Sequence, residues 1–443
     1  MKRILRACCF ALLCCGLTAA AQPALPPPRL IDLAETLRIA GASNVELALA
    51  RERLKEARAL QAGTLWQWAP SMTPGVGYRA HQDRIQNVEG RMLEVERDSV
   101  QLGPTFLAQL EAGEAFYRGQ AAKAVTEAGR AEVEMRRQEA VAAAAMAFFD
   151  LARAQAVVGV AEESVRLMDE YAAQLERAVG AGLAFKGDAL RVRVQADRNR
   201  GALIQARHRR RVSAARLAQV MHLDPASELR APEADLVPLT LTPADTSVES
   251  LVSLARARRP DVVRQAALQR AAQKNRDAAK VGPWIPTVGA QVFVGGLAGG
   301  NDTIRSGLGA SEDYQVTLGW RIGAGGLFDR TRVRVAEARL KAADLERVKL
   351  EDELAVQVVE AHTQALSARE QLGLSRRMLA AAGEAFQLSA GRREFGVGVV
   401  LETLTAEQDF TKAKGDVIQA VAEWNRAQYA LLRATGQLTG RSE

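Results

Sequence analysis

An internal duplication constrains this chain more than any other feature of its sequence. Trp68-Ala69-Pro70-Ser71 recurs as Trp284-Ile285-Pro286-Thr287, a shift of 216, and the same shift carries Leu102-Gly103 onto Leu318-Gly319. Further along, Gly182 and Asp188 fall on Gly396 and Glu402 with a shift of 214. Two copies of one unit that differ by a two-residue gap explain a register kept over so long a span. Each copy predicts a helix (about 31–66 and 248–281), then a break at Trp-x-Pro, where proline ends helical pairing. Two strands follow, then a very long helix (about 107–179 and 328–393), a glycine-bearing turn and a return helix ending near Met221 and Thr435. Pro225, Pro232, Pro238 and Pro243 mark an irregular linker over 224–247, which divides repeat 1 (22–223) from repeat 2 (248–443). The expected fold class is mainly α with a small β part, two tandem helix–strand–strand–helix repeats.

The strands have period two. Tyr314, Val316, Leu318, Trp320 and Ile322 alternate with Gln315, Thr317, Gly319 and Arg321. In the first copy Val100, Leu102, Pro104 and Phe106 alternate with Ser99, Gln101, Gly103 and Thr105. Their partners align as well, Met72, Pro74, Val76 and Tyr78 with Val288, Ala290, Val292 and Val294. Two readings stand open, an antiparallel sheet with one face on a core and a barrel wall with lipid outside and water inside. Four strands cannot close a membrane barrel, so the second reading needs several chains. Pro104 lacks a donor and fits a central strand poorly. The segment His81–Asp98 reads as a charged loop and Gly295–Asp302 as a flexible one.

The long helices have period 3.5. Ala144, Ala147, Leu151, Ala154, Val158, Ala161, Val165 and Met168 step by three and four, and Val358, Ala361, Ala365, Ala368 and Leu372 repeat the stripe. A repeat this long predicts coiled-coil packing. At ~1.5 Å per residue, a helix of roughly 70 residues reaches on the order of 100 Å, which suits a structure that crosses a wide space.

Residues 1–21 have the three parts of a secretory signal: Met1-Lys2-Arg3, an apolar stretch to Leu17, and Ala19-Ala20-Ala21 before Gln22. An exported chain is expected. All four cysteines lie in this segment, so the mature chain offers no disulfide or thiolate site, and lipidation at Cys14 or Cys15 stays open. The segment also holds three positive charges and no acid, so the formal charge of +7 falls to +4 on cleavage. No later stretch has 18 uninterrupted apolar residues, and no transmembrane helix is expected. His208-Arg209-Arg210-Arg211 is the one basic run that could invite nucleic acid, but a solvated helix face is the simpler reading in an exported chain.

No catalytic, cofactor or metal site is found. His81, His208, His222 and His362 are scattered and form no metal-binding spacing. Gly323-Ala324-Gly325-Gly326 lacks the full dinucleotide fingerprint and its βαβ setting, and serves more simply to turn strand into helix.

Two helix–strand–strand–helix units, Trp-x-Pro-Ser/Thr at the helix-to-strand turns, and Trp320-Arg321-Ile322-Gly323-Ala324-Gly325-Gly326-Leu327 at a strand-to-helix turn together resemble the TolC-like outer membrane efflux protein family. The resemblance runs from about Leu30 to Leu438. It departs from the family pattern at Pro104, which stands at the position of Trp320, in the missing Gly-Gly pair of copy one, and at Glu402, where the family often has Asp. The resemblance implies a homotrimer in the outer membrane of a Gram-negative bacterium, with a twelve-stranded barrel continued by an α-helical tunnel through the periplasm. It implies a passive duct and no enzyme, working with a periplasmic adaptor and an inner-membrane pump of RND or ABC type. Val316, Leu318 and Trp320 would face lipid. Gly182 and Gly396 would form the tip turns. Asp188 and Glu402, six residues after each glycine, would ring the periplasmic aperture, with Lys186, Arg392 and Arg393 as gate partners. The same two acids also suit the N-terminus of a return helix, where negative charge is favoured. The alternative from another class is a periplasmic adaptor or coiled-coil scaffold without a pore. The cargo, whether drug, metal, peptide or protein, is not written in the sequence.

Overall fold

The computed structural model describes residues 29–232, 236–243, 246–300, 305–394 and 399–438, with the side chains of 393 and 394 set aside. The signal segment therefore lies outside the described residues. The chain is mainly helical with one principal sheet.

Among the described residues a short strand, β1 (Arg29–Leu30), comes first, followed by α1 (Leu33–Ser43) and α2 (Val45–Trp66). The expected single helix is thus broken. Asn44 is extended (φ −69°, ψ 135°) and its side chain accepts from the Glu46 N–H, capping a fresh start. The later helix breaks in the same way into α5 (Val248–Arg258) and α6 (Pro260–Lys280). Here Arg259 is extended because Pro260 follows it, and proline takes the first helical position. Sequence periodicity does not register a one-residue break when the apolar face continues beyond it.

The strands β2 (Ser71–His81), β5 (Arg97–Leu110), β7 (Thr287–Gly300) and β8 (Arg305–Gly319) form one antiparallel sheet in the order β2-β5-β7-β8. Between β2 and β5 the charged loop folds back on itself as a small hairpin, β3 (Arg84–Gln86) with β4 (Met92–Glu94). The glycine run at 295–300 is strand, not loop, and continues the ladder against β5 and β8. Ser71 pairs with Leu107, whereas Thr287 pairs with Gly319. The second strands of the two hairpins therefore correspond through a shift of 212, not the 216 read from Leu-Gly. The difference is even, so every side chain stays on its expected face.

Pro104 does sit in a central strand. It pairs with Pro74 on one side, while the β5–β7 ladder skips from Leu102↔Gly296 to Thr105↔Phe293 on the other. The interruption falls where Pro104 has no N–H to give. The backbones close the gap. A Cβ on Gly295 would lie 2.2 Å from the Leu102 carbonyl oxygen, and one on Gly103 (φ +154°) 2.5 Å from that of Val294. Phe293 lays its ring over both glycines and is 3% exposed on an otherwise open face.

Below the sheet run α3 (Ala112–Gly180) and α4 (Lys186–Val220) from the first half, then α7 (Arg330–Glu394) and α8 (Val400–Ala434) from the second. Strand β6 (Leu229–Arg230), in the linker, pairs in parallel with β1. Each strand of the sheet adjoins a helix, and those helices stand in the same order: α2 beside α3, α3 beside α6, α6 beside α7. Further down the row is α4, α3, α8, α7. The heptad seams are the contacts within it. Ala144, Leu151, Val158 and Met168 are buried in α3, and Leu354, Val358, Ala361, Ala365, Ala368 and Leu372 in α7. Helix α3 is also buried on a second side through Ala145, Phe148, Phe149 and Ala152, which pack with Leu217, Met221 and Tyr429. An 18-residue window of α3 is apolar enough by composition to be compared with a membrane span; 56% of it is buried here against other helices, and this packing accounts for its character. The basic run on α4 is tied to its own chain: Arg210 meets Glu228 at 3.2 Å and Arg211 donates to the Ala226 carbonyl.

Candidate site at the hairpin tips and on the sheet face

The turn after α3 is closed by backbone geometry. Leu183 N–H donates to the Ala178 carbonyl at 2.8 Å and Gly182 N–H to that of Val179 at 3.0 Å, with Gly182 at φ +72°. These two bonds form a Schellman cap, which needs a residue free to adopt the left-handed region. Gly396 lies outside the described residues. Both return helices start alike. Phe185 (φ −80°, ψ 131°) and Val399 (φ −86°, ψ 132°) are extended, and their carbonyls accept from the N–H of Asp188 and of Glu402.

Each acid sits in the first turn of its helix and each holds an arginine, in different ways. Asp188 pairs along its own helix with Arg191 at 3.3 Å, while Glu402 reaches across the turn to Arg392 at 2.9 Å. Lys186 forms no ion pair among the described residues, and the side chain of Arg393 lies outside them. Arg191 was legible only as an i,i+3 neighbour of Asp188.

Val192 of α4 and Leu404 of α8 share one buried cluster with Met168 and Tyr171 of α3, and Val400 packs against it. Both return helices therefore pack near their starts against the same end of α3. Above this cluster stands a buried polar network that sequence reading missed. Glu407 is 1% exposed, and its Oε1 accepts from Ser164 Oγ at 2.5 Å and from Thr411 Oγ1 at 3.0 Å. Asn199 donates to Ser164 Oγ, Gln195 to Asn199, and Gln408 to Gln195, so α3, α4 and α8 are linked by one chain of bonds. Their separation in sequence, up to 243 residues, hides the contact.

At the other end the sheet presents two unlike faces. Met72, Val76 and Tyr78 on β2, Leu102 and Phe106 on β5, Val288 and Val294 on β7, and Tyr314, Val316 and Leu318 on β8 share one face by register. All are exposed, Val316 to 78% and Leu318 to 66%. Trp320 follows at the end of β8, 53% exposed, and donates from Nε1 to the Trp284 carbonyl at 3.1 Å. Thr73, Gln101, Gln291, Gln315 and Thr317 lie on the opposite face. Of the chain's five tryptophans, Trp66, Trp68, Trp284 and Trp320 gather where sheet meets helix.

Residues 251–437 match the family model described as outer membrane efflux protein. Protein CyaE of Bordetella pertussis is 28% identical over 288 residues, 64% of this chain; the match spans 58% of that relative's length. Among solved structures, the CmeC outer membrane channel of Campylobacter jejuni superposes with a TM-score of 0.77 at 14% identity, covering 93% of this chain and 87% of that one. The outer membrane protein VceC of Vibrio cholerae gives 0.75 at 18%, covering 91% and 96%. At these identities the likeness is one of fold, and it extends over both halves of the chain.

Proposed function

We propose, from the match of residues 251–437 to the outer membrane efflux protein family model, that the chain is a passive exit duct of the outer membrane, closed by three copies. One observation carries the reading: the sheet and the helical layer are open at the same two edges. β2 above α2 and α4 forms one edge, and β8 above α7 forms the other. A sheet with two free edges and a fully exposed apolar face is a poor soluble structure. Joining β8 of one copy to β2 of the next removes both edges, and three copies supply twelve strands.

The helices support the same closure. On α7, Leu345, Val348, Val356, Val359, Leu366, Leu374 and Met378 are exposed by 40–57%. At ~100° per residue they share the side opposite the buried seam. On α4, Leu190, Val194 and Ile204 form a similar exposed stripe opposite Val192, Ala196 and Ala206. Two unpartnered stripes on the two outer helices of one layer suit packing between neighbouring copies.

In this reading the apolar sheet face meets lipid and the polar face lines water. Lysine at Leu318 then costs up to about 2–4 kcal/mol at bilayer mid-depth, while lysine at Thr317 is tolerated. Detergent-extracted protein carrying either change, compared by trimer yield in native mass spectrometry, tests the assignment; equal yields overturn it. Cargo would enter by way of a periplasmic adaptor from an inner-membrane pump, and chemistry on the cargo has no part in the duct.

Asp188 and Glu402 are assigned to the periplasmic aperture. Three copies bring six carboxylates to one end, and a carboxylate ring favours cations. The pairs Asp188–Arg191 and Glu402–Arg392 are exposed and worth little to stability alone, so they can exchange partners when the tips part. The double change Asp188→Ala and Glu402→Ala should lower cation selectivity in planar bilayers and leave the trimer intact. Unchanged selectivity would reduce both acids to helix-start residues.

A further inference from the structure

A groove of about 350 Å³ lies where the sheet gives way to the helices, lined among others by Lys280, Trp284, Leu327, Phe328, Arg330 and Arg334. We propose that this groove binds the anionic headgroup of a membrane phospholipid, with its phosphate on the three cations and its acyl chains on the aromatic wall. The proposal rests on the outer membrane reading above.

The charge is unsatisfied. Lys280, Arg330 and Arg334 have no carboxylate partner among the described residues, although their neighbours do: Arg332 pairs with Glu114, and Arg321 with Glu111 at 3.0 Å. The one acid in the groove, Asp329, is already committed. Its carboxylate accepts from the N–H of Arg332 at 3.0 Å and of Gly325 at 2.9 Å. Neutral N–H donors leave that carboxylate its charge, so three cations face one acid, and the net charge of about +2 attracts an anion.

The wall beside them is apolar and exposed. Trp284 is 64% and Phe328 73% exposed, and their rings meet edge to face at 6.3 Å. Phe328 also holds a left-handed backbone (φ +68°), a costly conformation for a bulky residue. The wall runs into Trp320 and the apolar sheet face, so a chain lying on that face ends at the cations. Free phosphate would use the cations and leave the rings idle; a lipid uses both.

In the head-to-tail ring proposed above, α7 of one copy would face α2 of the next, and no acid follows Glu56 on that helix. The same combination recurs at the first Trp-x-Pro turn, where a groove of about 600 Å³ sets Arg58 and Lys123 beside Leu65, Trp68 and Phe116.

The test uses the full chain in mild detergent, titrated with dioleoyl phosphatidylglycerol or dioleoyl phosphatidylcholine, and counts retained lipid by native mass spectrometry. Wild type should retain phosphatidylglycerol at least ten-fold better than Lys280→Gln/Arg330→Gln/Arg334→Gln, with phosphatidylcholine equal on both. The charge-keeping variant Lys280→Arg/Arg330→Lys/Arg334→Lys should retain it as wild type does, which guards against a fold defect. Equal phosphatidylglycerol retention by wild type and the glutamine variant overturns the site, as does its displacement by millimolar inorganic phosphate. Fractionation of wild-type cells separates the two readings. Recovery in the soluble periplasmic fraction defeats the membrane assignment itself, whereas recovery in the membrane with equal retention defeats only the lipid site.

Discussion

A methyl group at position 103 or 295 has no room. The Leu102 and Val294 carbonyl oxygens stand within 2.5 Å of where those Cβ atoms would lie, nearer than real contacts allow. Gly295→Ala should therefore pull β5 and β7 apart and lower the yield of folded trimer. Gly307→Ala, at a position with nothing within 4 Å, should not. Gel mobility of unheated samples reads the difference. Asp329 offers a second residue-scale test. The N–H groups of Arg332 and then Gly325 hold its carboxyl below the usual carboxylate range. The folded state thus favours the ionised form. That contribution is present above the ordinary value of about 4 and is lost as pH falls through the lowered one. Asp329→Asn keeps a capping acceptor and removes the charge. Its deficit in melting temperature against wild type should be largest near neutral pH and vanish in acid; a deficit independent of pH would assign the effect to shape alone.

Helix-scale behaviour follows from which seam a residue occupies. Leu151 is fully buried and Leu372 nearly so within one chain. Lysine at either leaves a charge among apolar neighbours, at a cost of several kcal/mol. Far-ultraviolet dichroism should show a lower melting point even in monomers. Leu374 lies two residues from Leu372 and is 48% exposed. Lysine there should spare the chain's own fold and weaken only its association. Much of this was legible in the sequence. The stripe from Ala144 to Met168 and its counterpart on α7 were readable because a 3.5-residue repeat is local information. The alternation on β8 was readable for the same reason. The breaks at Asn44 and Arg259 were not, since the apolar face persists across them. Nor was the Glu407 network, whose members approach only once α3, α4 and α8 are packed. The Leu-Gly match misplaced the strand correspondence by four residues because two-residue identities do not fix a hairpin register, which cross-strand pairing does.

On the scale of the whole molecule, layer order and charge act together. Sheet and helices keep one sequence of neighbours from top to bottom, so a copy that docks at the sheet edge also meets the helical edge. Glutamate at both Leu345 and Val359 on the exposed α7 stripe should yield helical monomers in light scattering, and a persistent trimer would argue against that seam.

The two edges of this layer are unlike: β2 with α2 and α4 on one side, β8 with α7 on the other. Any ring built from them is head-to-tail, and every member serves as donor to one neighbour and acceptor to the other. This has a genetic consequence. A variant spoiled only on its β8–α7 side still offers an intact β2–α4 side, so it can enter a growing ring and leave it unclosed. Where such a variant and the normal chain are made in equal amounts, three-membered rings drawn at random would be wholly normal in roughly one case in eight. Damage to one edge should therefore be dominant, whereas a variant too unfolded to present either edge should be recessive.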